Sequence, residues 1–437
     1  RIDTANAPEK IILITLKDFI TKEIVTFGCW DFVFDKDKIE EILKKQDANI
    51  DIDRLSNFRY VKCSDEKDLL SKFVDYWSSD YPDIVTGWNT ELFDITYISR
   101  RILKVLDEKH LKKMSPWGRY SEENRNITID RSEMIITWSG ISSLDYYNVY
   151  PKFSFKKLEN LKLDTVANEE LGRNKLENDY ASFKDFYTKD PYMFTLYNII
   201  DVDLIDEFEE KLKLIQMIVE MAYEARCNYE DVFGTIATWE SILYNYLMKK
   251  KIIIDLKDNS DASTSYQIAG GYVKDIGPCS HDWCVAFDAT SLYPSIIMAF
   301  NMSPETLVEG STLNPPNFDT VEKLVAREFD LSRLKELEHS CAANGQEFLL
   351  NKKGLFPEIV EYFFDDRQKA KKEMLRLEAL NTDDKESLQK ISSLHVKQMS
   401  YKILLNGFYG AIANKYFVYF DTRIAEGITL SGQTIIK

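Results

Sequence analysis

The stretch that decides the fold reads V-A-F-D-A-T-S-L-Y-P-S-I-I and spans Val285–Ile297. Its apolar start predicts a buried strand, and Asp288 stands at the end of that strand. The chain then turns through Ser291 and begins the next segment at Tyr293. A carboxylate at the end of a buried strand is costly unless it holds a cation, and exposed backbone N–H groups in a tight turn can receive a polyphosphate. The alternative is a buried strand with a surface Asp and a Tyr-Pro turn.

The composition is that of an ordinary globular chain with two or three domains. The 437 residues are 44% hydrophobic and 29% charged, which is typical of a water-soluble protein. No apolar run approaches the ~20 residues of a membrane span, so we expect no membrane partner. The six cysteines form no C-x-x-C pair. This argues against a zinc module or a disulfide framework and favours a cytoplasmic protein.

The net charge of −16 counts against a nucleic-acid partner, because an acidic surface repels a polyanion. A large enzyme can nevertheless confine its basic surface to one cleft. Residues 352–415 contain 12 Lys and Arg residues against 9 Asp and Glu residues. This region is therefore locally basic within an acidic chain.

The first part of the chain has the pattern of an α/β domain. Alternating apolar residues predict two strands within residues 10–34, and apolar spacing predicts a helix over residues 66–78. Asp83–Asn89 predicts a buried strand that ends in a turn, and another helix follows. Asp94 lies between them, where loops at the carboxyl ends of strands form sites. A helix N-cap is the alternative role for Asp94.

Residues 192–206 predict a helix on which Tyr197 and Asp201 lie one turn apart on the same face. A phenol beside a carboxylate suits a metal-bound water that attacks phosphorus, with the phenol orienting the water and the carboxylate ligating the metal. The alternative is an exposed polar stripe, to which Asp203 and Asp206 would also belong.

Two long helices joined at Asn381–Lys385 are predicted within residues 358–406, where no Gly or Pro occurs, and Gly407 is interpreted as the stop signal. Asp383 and Asp384 suit the positive N-terminus of the second helix, so we interpret them as a cap rather than a metal site.

Both long helices carry cations at helical spacing. Arg367 and Lys371 are one turn apart on the first helix, and for this pair alone a solvated face is the simpler interpretation. The second helix presents a continuous stripe of Lys402, Asn406, Tyr409 and Gly410. This stripe is a poor core face and suits a surface that meets phosphates, a sugar and a base pair.

Shorter segments complete the pattern. Residues 210–250 predict helices between domains, and A-G-G-Y-V at Ala269–Val273 allows either close approach of a DNA strand or a simple turn. Asn414–Asp421 predicts a strand, and Ile424–Ile436 predicts a helix. Because the chain begins with Arg1 and ends beside that helix, we expect an internal fragment.

Four stretches resemble motifs of the family B (alpha-like) DNA polymerases, in the order of that family. G-W-N-T-E-L-F-D, which ends at Asp94, and Y-N-I-I-D at Tyr197–Asp201 resemble the second and third motifs of the 3′→5′ proofreading exonuclease. The stretch that begins at Asp288 resembles polymerase motif A. K-I-L-L-N-G-F-Y-G at Lys402–Gly410 resembles motif B, with Gly407 in place of the family's usual Ser.

The exonuclease resemblance implies a two-metal hydrolytic site. It makes Asp94 and Asp201 metal ligands and Tyr197 the residue that positions the attacking water. Leu144–Tyr150 lies where the family has a similar strand-to-helix segment. The family's first motif, Asp-x-Glu on the first strand, is not found near the N-terminus, because Asp3 lies upstream of that strand. We therefore expect this chain to bind metal poorly at this site.

The polymerase resemblance implies a nucleotidyl-transfer site. Asp288 and the carbonyl group of Ala289 would contact the metal ions, which are Mg²⁺, with Mn²⁺ as a substitute. Backbone N–H groups at Ser291 and Leu292 would hold the triphosphate of the incoming dNTP. The ring of Tyr293 would lie under the sugar and act as a steric gate against a 2′-hydroxyl group.

The two long helices would complete that site. The resemblance makes Arg367, Lys371 and Lys402 the cations that neutralise the triphosphate, and it places Asn406 near the triphosphate and Tyr409 near the nascent base pair. The family's motif C, Asp-Thr-Asp, does not follow in this chain, so we expect no templated extension from the chain alone.

The implied fold is a multidomain α/β and α+β protein. It would contain an RNase H-like exonuclease domain, a partial palm with an antiparallel sheet and helices, and two-helix fingers. The expected boundaries are 1–210 for the exonuclease domain, 211–257 for a helical inter-domain segment, 258–351 for the first part of the palm, 352–413 for the fingers and 414–437 for the return to the palm.

The resemblance implies a proofreading DNA-directed DNA polymerase whose partners are primer–template DNA, dNTPs and replisome proteins such as a sliding clamp. The short fingers and Y-N-I-I-D-V suggest a viral or phage-like replicative member, which would act in the bacterial host cytoplasm. Two alternatives remain open. A stand-alone 3′→5′ exonuclease leaves residues 285–410 unexplained, and a non-catalytic DNA-binding homologue is disfavoured by the intact motif at Asp288.

Overall fold

The computed structural model of the chain divides into two compact units, Arg1–Ile215 and Gln216–Lys437. None of its described helices is long and apolar enough to span a membrane. The structure describes residues 3–46, 50–128, 131–154, 156–173, 175, 176, 178, 180–253, 268, 270–274, 277–312, 318–329, 332, 336, 338–380 and 384–437.

The first unit is built on a three-stranded sheet in the order β1-β2-β3. β1 (Leu13–Lys17) pairs antiparallel with β2 (Ile24–Gly28), and β2 pairs parallel with β3 (Phe58–Lys62). The two strands predicted within residues 10–34 are confirmed, although the second ends at Gly28. All five residues of β2 are buried, so this middle strand lies within the core.

Further strands of the first unit form two pairs. β4 (Ile84–Val85) pairs parallel with β7 (Ser142–Ser143), and β5 (Tyr120–Thr128) forms an antiparallel hairpin with β6 (Arg131–Trp138). β4 is shorter than the predicted strand Asp83–Asn89, because its parallel pairing covers two residues. Both residues are half-buried.

Nine α-helices accompany these strands in the part of the chain that the structure describes, and the last of them extends past Ile215. They are α1 (Lys36–Lys45), α2 (Glu66–Ser79), α3 (Thr96–Val105), α4 (Glu108–Lys112), α5 (Tyr146–Phe153), α6 (Leu163–Leu171), α7 (Phe183–Lys189), α8 (Pro191–Leu212) and α9 (Leu214–Ala225). α2 and α8 confirm the helices predicted over residues 66–78 and 192–206.

Alternation along β2 builds two apolar clusters, because successive side chains of a strand point to opposite faces. Val25 and Phe27 pack with α2, where the rings of Phe27 and Phe73 meet edge-to-face with centroids 5.9 Å apart. Ile24 packs instead with Ile39 of α1 and Leu196 of α8. The sheet thereby connects α8, which carries two candidate site residues, to the core.

The second unit is mainly helical. Its further helices are α10 (Thr235–Lys249), α11 (Leu292–Phe300), α12 (Phe318–Val325), α13 (Leu355–Glu378), α14 (Lys385–Ile412) and α15 (Thr422–Ile436). The predicted long helices are confirmed as α13 and α14, but α14 runs through Gly407. The predicted cap is confirmed for Asp384, which accepts the N–H of Ser387 at 2.8 Å, whereas Asp383 lies outside the described residues.

A small antiparallel sheet accompanies these helices, in the order β8-β10-β9. Its strands are β8 (Leu307–Thr312), β9 (His339–Cys341) and β10 (Gln346–Leu349). Phe348 of β10 is fully buried. The antiparallel sheet expected in this part of the chain is therefore present.

Two strands predicted in the second unit are wrong. Val285–Asp288 is irregular, and Phe287 is 94% exposed, because no described strand pairs with this segment to cover its side chains. Asn414–Asp421 forms successive turns in which the N–H of Phe417 bonds to the carbonyl of Asn414 at 2.9 Å. These local hydrogen bonds occupy backbone groups that a strand would offer to a neighbour.

Candidate active sites

Asp94 and Asp145 lie on the segments that follow β4 and β7. Because the two strands are parallel, the segments that follow them leave the same edge. The Asp145 carboxylate accepts the backbone N–H of Asn89 at 2.9 Å and that of Glu91 at 3.1 Å. These hydrogen bonds tie the segment after β4 to the N-terminus of α5, which Asp145 caps.

Asp94 is not a helix N-cap. It lies in a π-helical turn, Glu91–Ile95, that continues directly into α3, and such turns occur frequently at functional sites. The side chain of Asp94 is exposed to solvent, yet the protein atoms crowded around its carboxyl group and the charge of Asp145 raise its pKa above the ordinary value of 3.8. Burial raises the pKa of Asp145 to about 6, although three backbone hydrogen bonds act to lower it. Two crowded carboxyl groups favour a cation between or beside them.

Tyr197 and Asp201 lie one turn apart on α8, and Lys175 contacts both. The Nζ atom of Lys175 is 2.6 Å from Oδ2 of Asp201 and 4.9 Å from the centroid of the Tyr197 ring. Burial raises the pKa of Asp201 to about 6, and the Lys175 ammonium group limits this rise. Oδ1 of Asp201 is buried and has no hydrogen-bond partner among the described residues.

Asp203 and Asp206 do not form the exposed polar stripe that was the alternative for this helix. Both are buried, and Lys17 of β1 reaches them with Nζ–O distances of 2.5 Å. Arg54 adds a contact of 2.9 Å to Asp206. This ion-pair network is structural, because it holds α8 against β1 and uses the carboxylates in doing so.

The oxygen donors of the first unit suit a divalent cation. Desolvation by surrounding protein atoms, together with the charge of Asp145 on Asp94, raises the pKa values of these two carboxyl groups, and the unpartnered Oδ1 of Asp201 is an available hard oxygen ligand. Within the described part of the chain, however, no group of three or more His, Cys, Asp or Glu residues has a metal-binding arrangement. Among the described residues, the carboxylate pair Asp94–Asp145 and the single carboxylate Asp201 therefore do not form one assembled metal site.

In the second unit, Asp288 and Ala289 lie exposed on an irregular segment. The expectation of a costly buried carboxylate at Asp288 is therefore wrong, since this side chain keeps its water. The segment ends at Ser291, which has a left-handed φ of 50° and begins α11. The first N–H groups of a helix lack intrahelical partners, and Leu292 contributes the first of them.

Tyr293 and Tyr409 meet although they lie on separate helices. Their ring centroids are 4.7 Å apart and the ring planes are inclined by 40°. Both side chains are half-buried, so each ring keeps an accessible edge. This contact brings the stretch that resembles motif A to the stretch that resembles motif B.

The paired glycines contact Tyr293. Gly271 lies so near that a Cβ atom built on it would be 2.9 Å from the phenol oxygen of Tyr293. The carbonyl group of Gly270 accepts a hydrogen bond from Nε2 of Gln433 at 2.7 Å. The glycines therefore allow close approach, as predicted, but the object that they approach in this structure is a tyrosine. Ala269 lies outside the described residues.

The cations of α13 and α14 lie along a helical hairpin. Phe363 of α13 packs edge-on against Tyr401 of α14, with centroids 5.5 Å apart. Arg367 and Lys402 lie within two turns of this contact along their own helices. Lys371 is exposed, and Nε of Arg367 is buried without a hydrogen-bond partner among the described residues. A guanidinium group in that state suits an anion.

The stripe on α14 is confirmed as a surface face, because Asn406 is exposed and Lys402 and Tyr409 are half-buried. Gly407 faces α10 instead. A Cβ atom at Gly407 would be 3.1 Å from Cγ2 of Thr235, so the glycine lets the two helices approach closely.

The sequence patterns assign no role to Asp145 or Lys175. In the structure, the charge of Asp145 acts on Asp94, and Lys175 pairs with Asp201. A weak signal existed for Asp145, which directly follows a strand-like pair of serines and precedes a helix. Lys175 had no local signal, because it reaches Asp201 from a distant part of the chain.

Two family models match the chain. The model for the exonuclease domain of DNA polymerase family B matches residues 3–166, and the model for DNA polymerase family B matches residues 234–437. The first match includes Asp94 and Asp145. The second includes Asp288, Tyr293 and the α13–α14 hairpin.

Curated relatives agree with these matches. The DNA-directed DNA polymerases of Escherichia phage RB69 and Enterobacteria phage T4 are each 30% identical to this chain, over 424 and 421 residues, and each alignment covers 86% of it. DNA polymerase II of Escherichia coli strain K12 is 24% identical over 84% of the chain. The chain spans 45% of each phage relative and 42% of the bacterial one.

Proposed function

Since the chain belongs to DNA polymerase family B, we propose that it carries residues of both the nucleotidyl-transfer site and the proofreading site of a DNA-directed DNA polymerase. The match of residues 234–437 favours this function over a stand-alone exonuclease, which would leave that half without a role.

The proposed reaction of the second unit is attack of a primer 3′-oxygen on the α-phosphorus of a dNTP. The new bond joins that oxygen to the α-phosphorus, and the α–β phosphoanhydride bond breaks to release pyrophosphate. Backbone N–H groups at Ser291 and Leu292 hold the triphosphate, while Asp288 and the carbonyl of Ala289 provide oxygen ligands. Mg²⁺, or Mn²⁺ in its place, supplies Lewis-acid activation and charge neutralisation when bound.

The helical hairpin provides the remaining contacts. Arg367, Lys371 and Lys402 neutralise the triphosphate as charge develops. Asn406 lies near the triphosphate, and Tyr409 packs beside the nascent base pair. We assign α13 and α14 to two-helix fingers on the support of their antiparallel packing and their cations.

The proposed reaction of the first unit is 3′→5′ hydrolysis of a DNA strand. Asp94 and Asp201 provide metal ligands, and Tyr197 orients the attacking water. Lys175 holds one oxygen of Asp201, which leaves the other for the ligand role. The mixed sheet with flanking helices supports an RNase H-like fold for this unit.

The proposed partners are primer–template DNA and dNTPs, with a sliding clamp and other replisome proteins. Similarity to two phage proteins supports a phage-like replicative enzyme that acts in the host cytoplasm.

The contact between Tyr293 and Tyr409 is the observation that carries the polymerase proposal. Replacing Tyr293 by Ala should lower the preference for dNTPs over rNTPs by ~10²-fold, because the ring no longer excludes the 2′-hydroxyl group. Tyr293→Phe is the matched control and should keep the preference. Single-nucleotide extension by the full-length protein measures both ratios. Equal sugar preference in Tyr293→Ala and the unsubstituted protein would show that Tyr293 is not the steric gate.

A further inference from the structure

We propose that Gly432 on α15 is a positioning residue for sugar discrimination, because the side chain that it lacks leaves the space in which the Tyr293 ring is seated. This inference rests on the proposed function of Tyr293 as the steric gate. It adds a residue on a third helix, outside the two motifs that meet at the ring pair.

Gly432 touches α11 at the gate itself. A Cβ atom built on Gly432 would lie 3.3 Å from Cε1 of Tyr293, 3.5 Å from Cδ1 of Ile296 and 3.7 Å from Cδ2 of Leu292. The first distance is tighter than an ordinary contact, so the ring would have to move by a few tenths of an ångström. The other two distances are ordinary van der Waals contacts.

The ring of Tyr293 is confined on other sides as well. Its neighbour Tyr409 has its ring centroid 4.7 Å away, and Gly271 approaches its phenol oxygen. Thr429, one turn before Gly432 on α15, hydrogen-bonds to the side chain of Tyr409. One face of α15 therefore contacts both rings.

A side chain at position 432 would displace Tyr293 from this seat. A fitted contact with the deoxyribose is lost when the ring shifts, whereas a ribonucleotide has no such contact to lose. The efficiency ratio between dNTP and rNTP should therefore fall, by about tenfold for a shift of this size.

Gly432→Ala tests the inference, and Gly427→Ala is its matched control. Both substitutions replace Gly by a better helix former within α15, so both variants are expected to fold. Both are similarly crowded, since a Cβ atom at Gly427 would lie 3.2 Å from Cβ of Ala342. Only the first faces Tyr293. The measurement is kcat/KM for a dNTP and its rNTP in single-nucleotide extension by the full-length protein, with Tyr293→Ala in parallel.

A tenfold lower ratio in Gly432→Ala, an unchanged ratio in Gly427→Ala and a collapsed ratio in Tyr293→Ala would support the proposal. If Tyr293→Ala collapses the ratio and Gly432→Ala leaves it unchanged, the gate stands and the positioning role is refuted. Equal loss of dNTP and rNTP incorporation in Gly432→Ala also refutes it, as this indicates general damage. An unchanged ratio in Tyr293→Ala overturns the gate and, with it, the role of Gly432.

Discussion

The two units position their key carboxylates in different ways. In the first unit, Asp94 lies near Asp145 on the segments that follow two paired strands, and its pKa is raised although its side chain is exposed. In the second unit, Asp288 lies on an irregular segment with its side chain exposed. Both residues follow an apolar run and precede a helix, Asp94 after an eight-residue segment and Asp288 directly after Phe287. The pairing of β4 with β7 brings the segments of Asp94 and Asp145 together, whereas no described strand pairs with Val285–Asp288.

Charge is also used differently in the two units. Lys17 and Arg54 of the first unit are committed to buried carboxylates of α8. Lys371 and Lys402 of the second unit lie along a helical hairpin, Lys371 exposed and Lys402 half-buried. We interpret the buried charges as fixing the position of α8 and the hairpin cations as binding phosphate.

Replacing Lys402 by Met tests the role of the hairpin cations and gives the largest expected effect, a loss of primer extension. Primer extension should fall by ~10³-fold or more, because a cation near the triphosphate stabilises charge in the transition state. The measurement is kcat for dNTP incorporation by the full-length protein. Lys390→Met, on the same helix, is the control and should change kcat little. Similar losses in the two variants would mean that net charge, rather than position, matters.

Replacing Lys17 by Met probes the buried network of the first unit. Asp203 and Asp206 would lose a counter-charge, and the free energy of unfolding should drop by about 3–5 kcal/mol. Urea denaturation measures this change. Glu373→Gln breaks the exposed pairs with Arg376 and Lys390 in the second unit and should have no measurable effect. A negligible change for Lys17→Met would show that the network does not hold α8.

Replacing Asp145 by Asn gives the smallest expected effect and concerns pH. Because the pKa of Asp145 is about 6 when folded and its ordinary value is 3.8, the folded protein keeps a proton that the unfolded chain has released between about pH 4 and 6. Raising the pH across this window therefore lowers stability by up to about 1.4 kcal/mol per pH unit. The variant should have a shallower slope in urea denaturation, because Asp94 and Asp201 also have raised pKa values.

The control for that experiment is Asp18→Asn. Hydrogen bonds from Thr21 and Ile20 lower the pKa of Asp18 in spite of partial burial, so Asp18 contributes stability that is lost as the pH falls. The difference curve for this variant should have the opposite sign. Parallel curves for Asp145→Asn and the unsubstituted protein would contradict the raised pKa.

Helices and their faces could be predicted from the sequence. The spacing of Lys402, Asn406 and Tyr409 places them on one face of α14 by helical geometry alone, and the structure leaves that face accessible. The same holds for Tyr197 and Asp201 on α8. Helical periodicity is a local property, so it survives without knowledge of the rest of the fold.

Strands and charge partners could not be predicted as well. The apolar residues of Val285–Asp288 and Asn414–Asp421 have strand-like patterns, but pairing depends on distant segments. One interpretation of the sequence placed Asp203 on an exposed stripe, whereas in the structure Asp203 is buried and pairs with Lys17 of β1. Lys175 and Asp145 likewise act on residues outside their own helix or turn. Their roles follow from tertiary structure, which local patterns do not contain.

One measurement tests most directly whether the chain holds two distinct sites. Asp94→Ala and Asp288→Ala are made in the full-length protein, and single-strand 3′→5′ degradation and primer extension are measured for each. We predict that Asp288→Ala lowers extension by ~10³-fold and leaves degradation within about twofold, because a lost metal ligand removes several kcal/mol of transition-state stabilisation. Asp94→Ala should do the reverse. Loss of the same activity in both variants would contradict the assignment of separate sites to the two units.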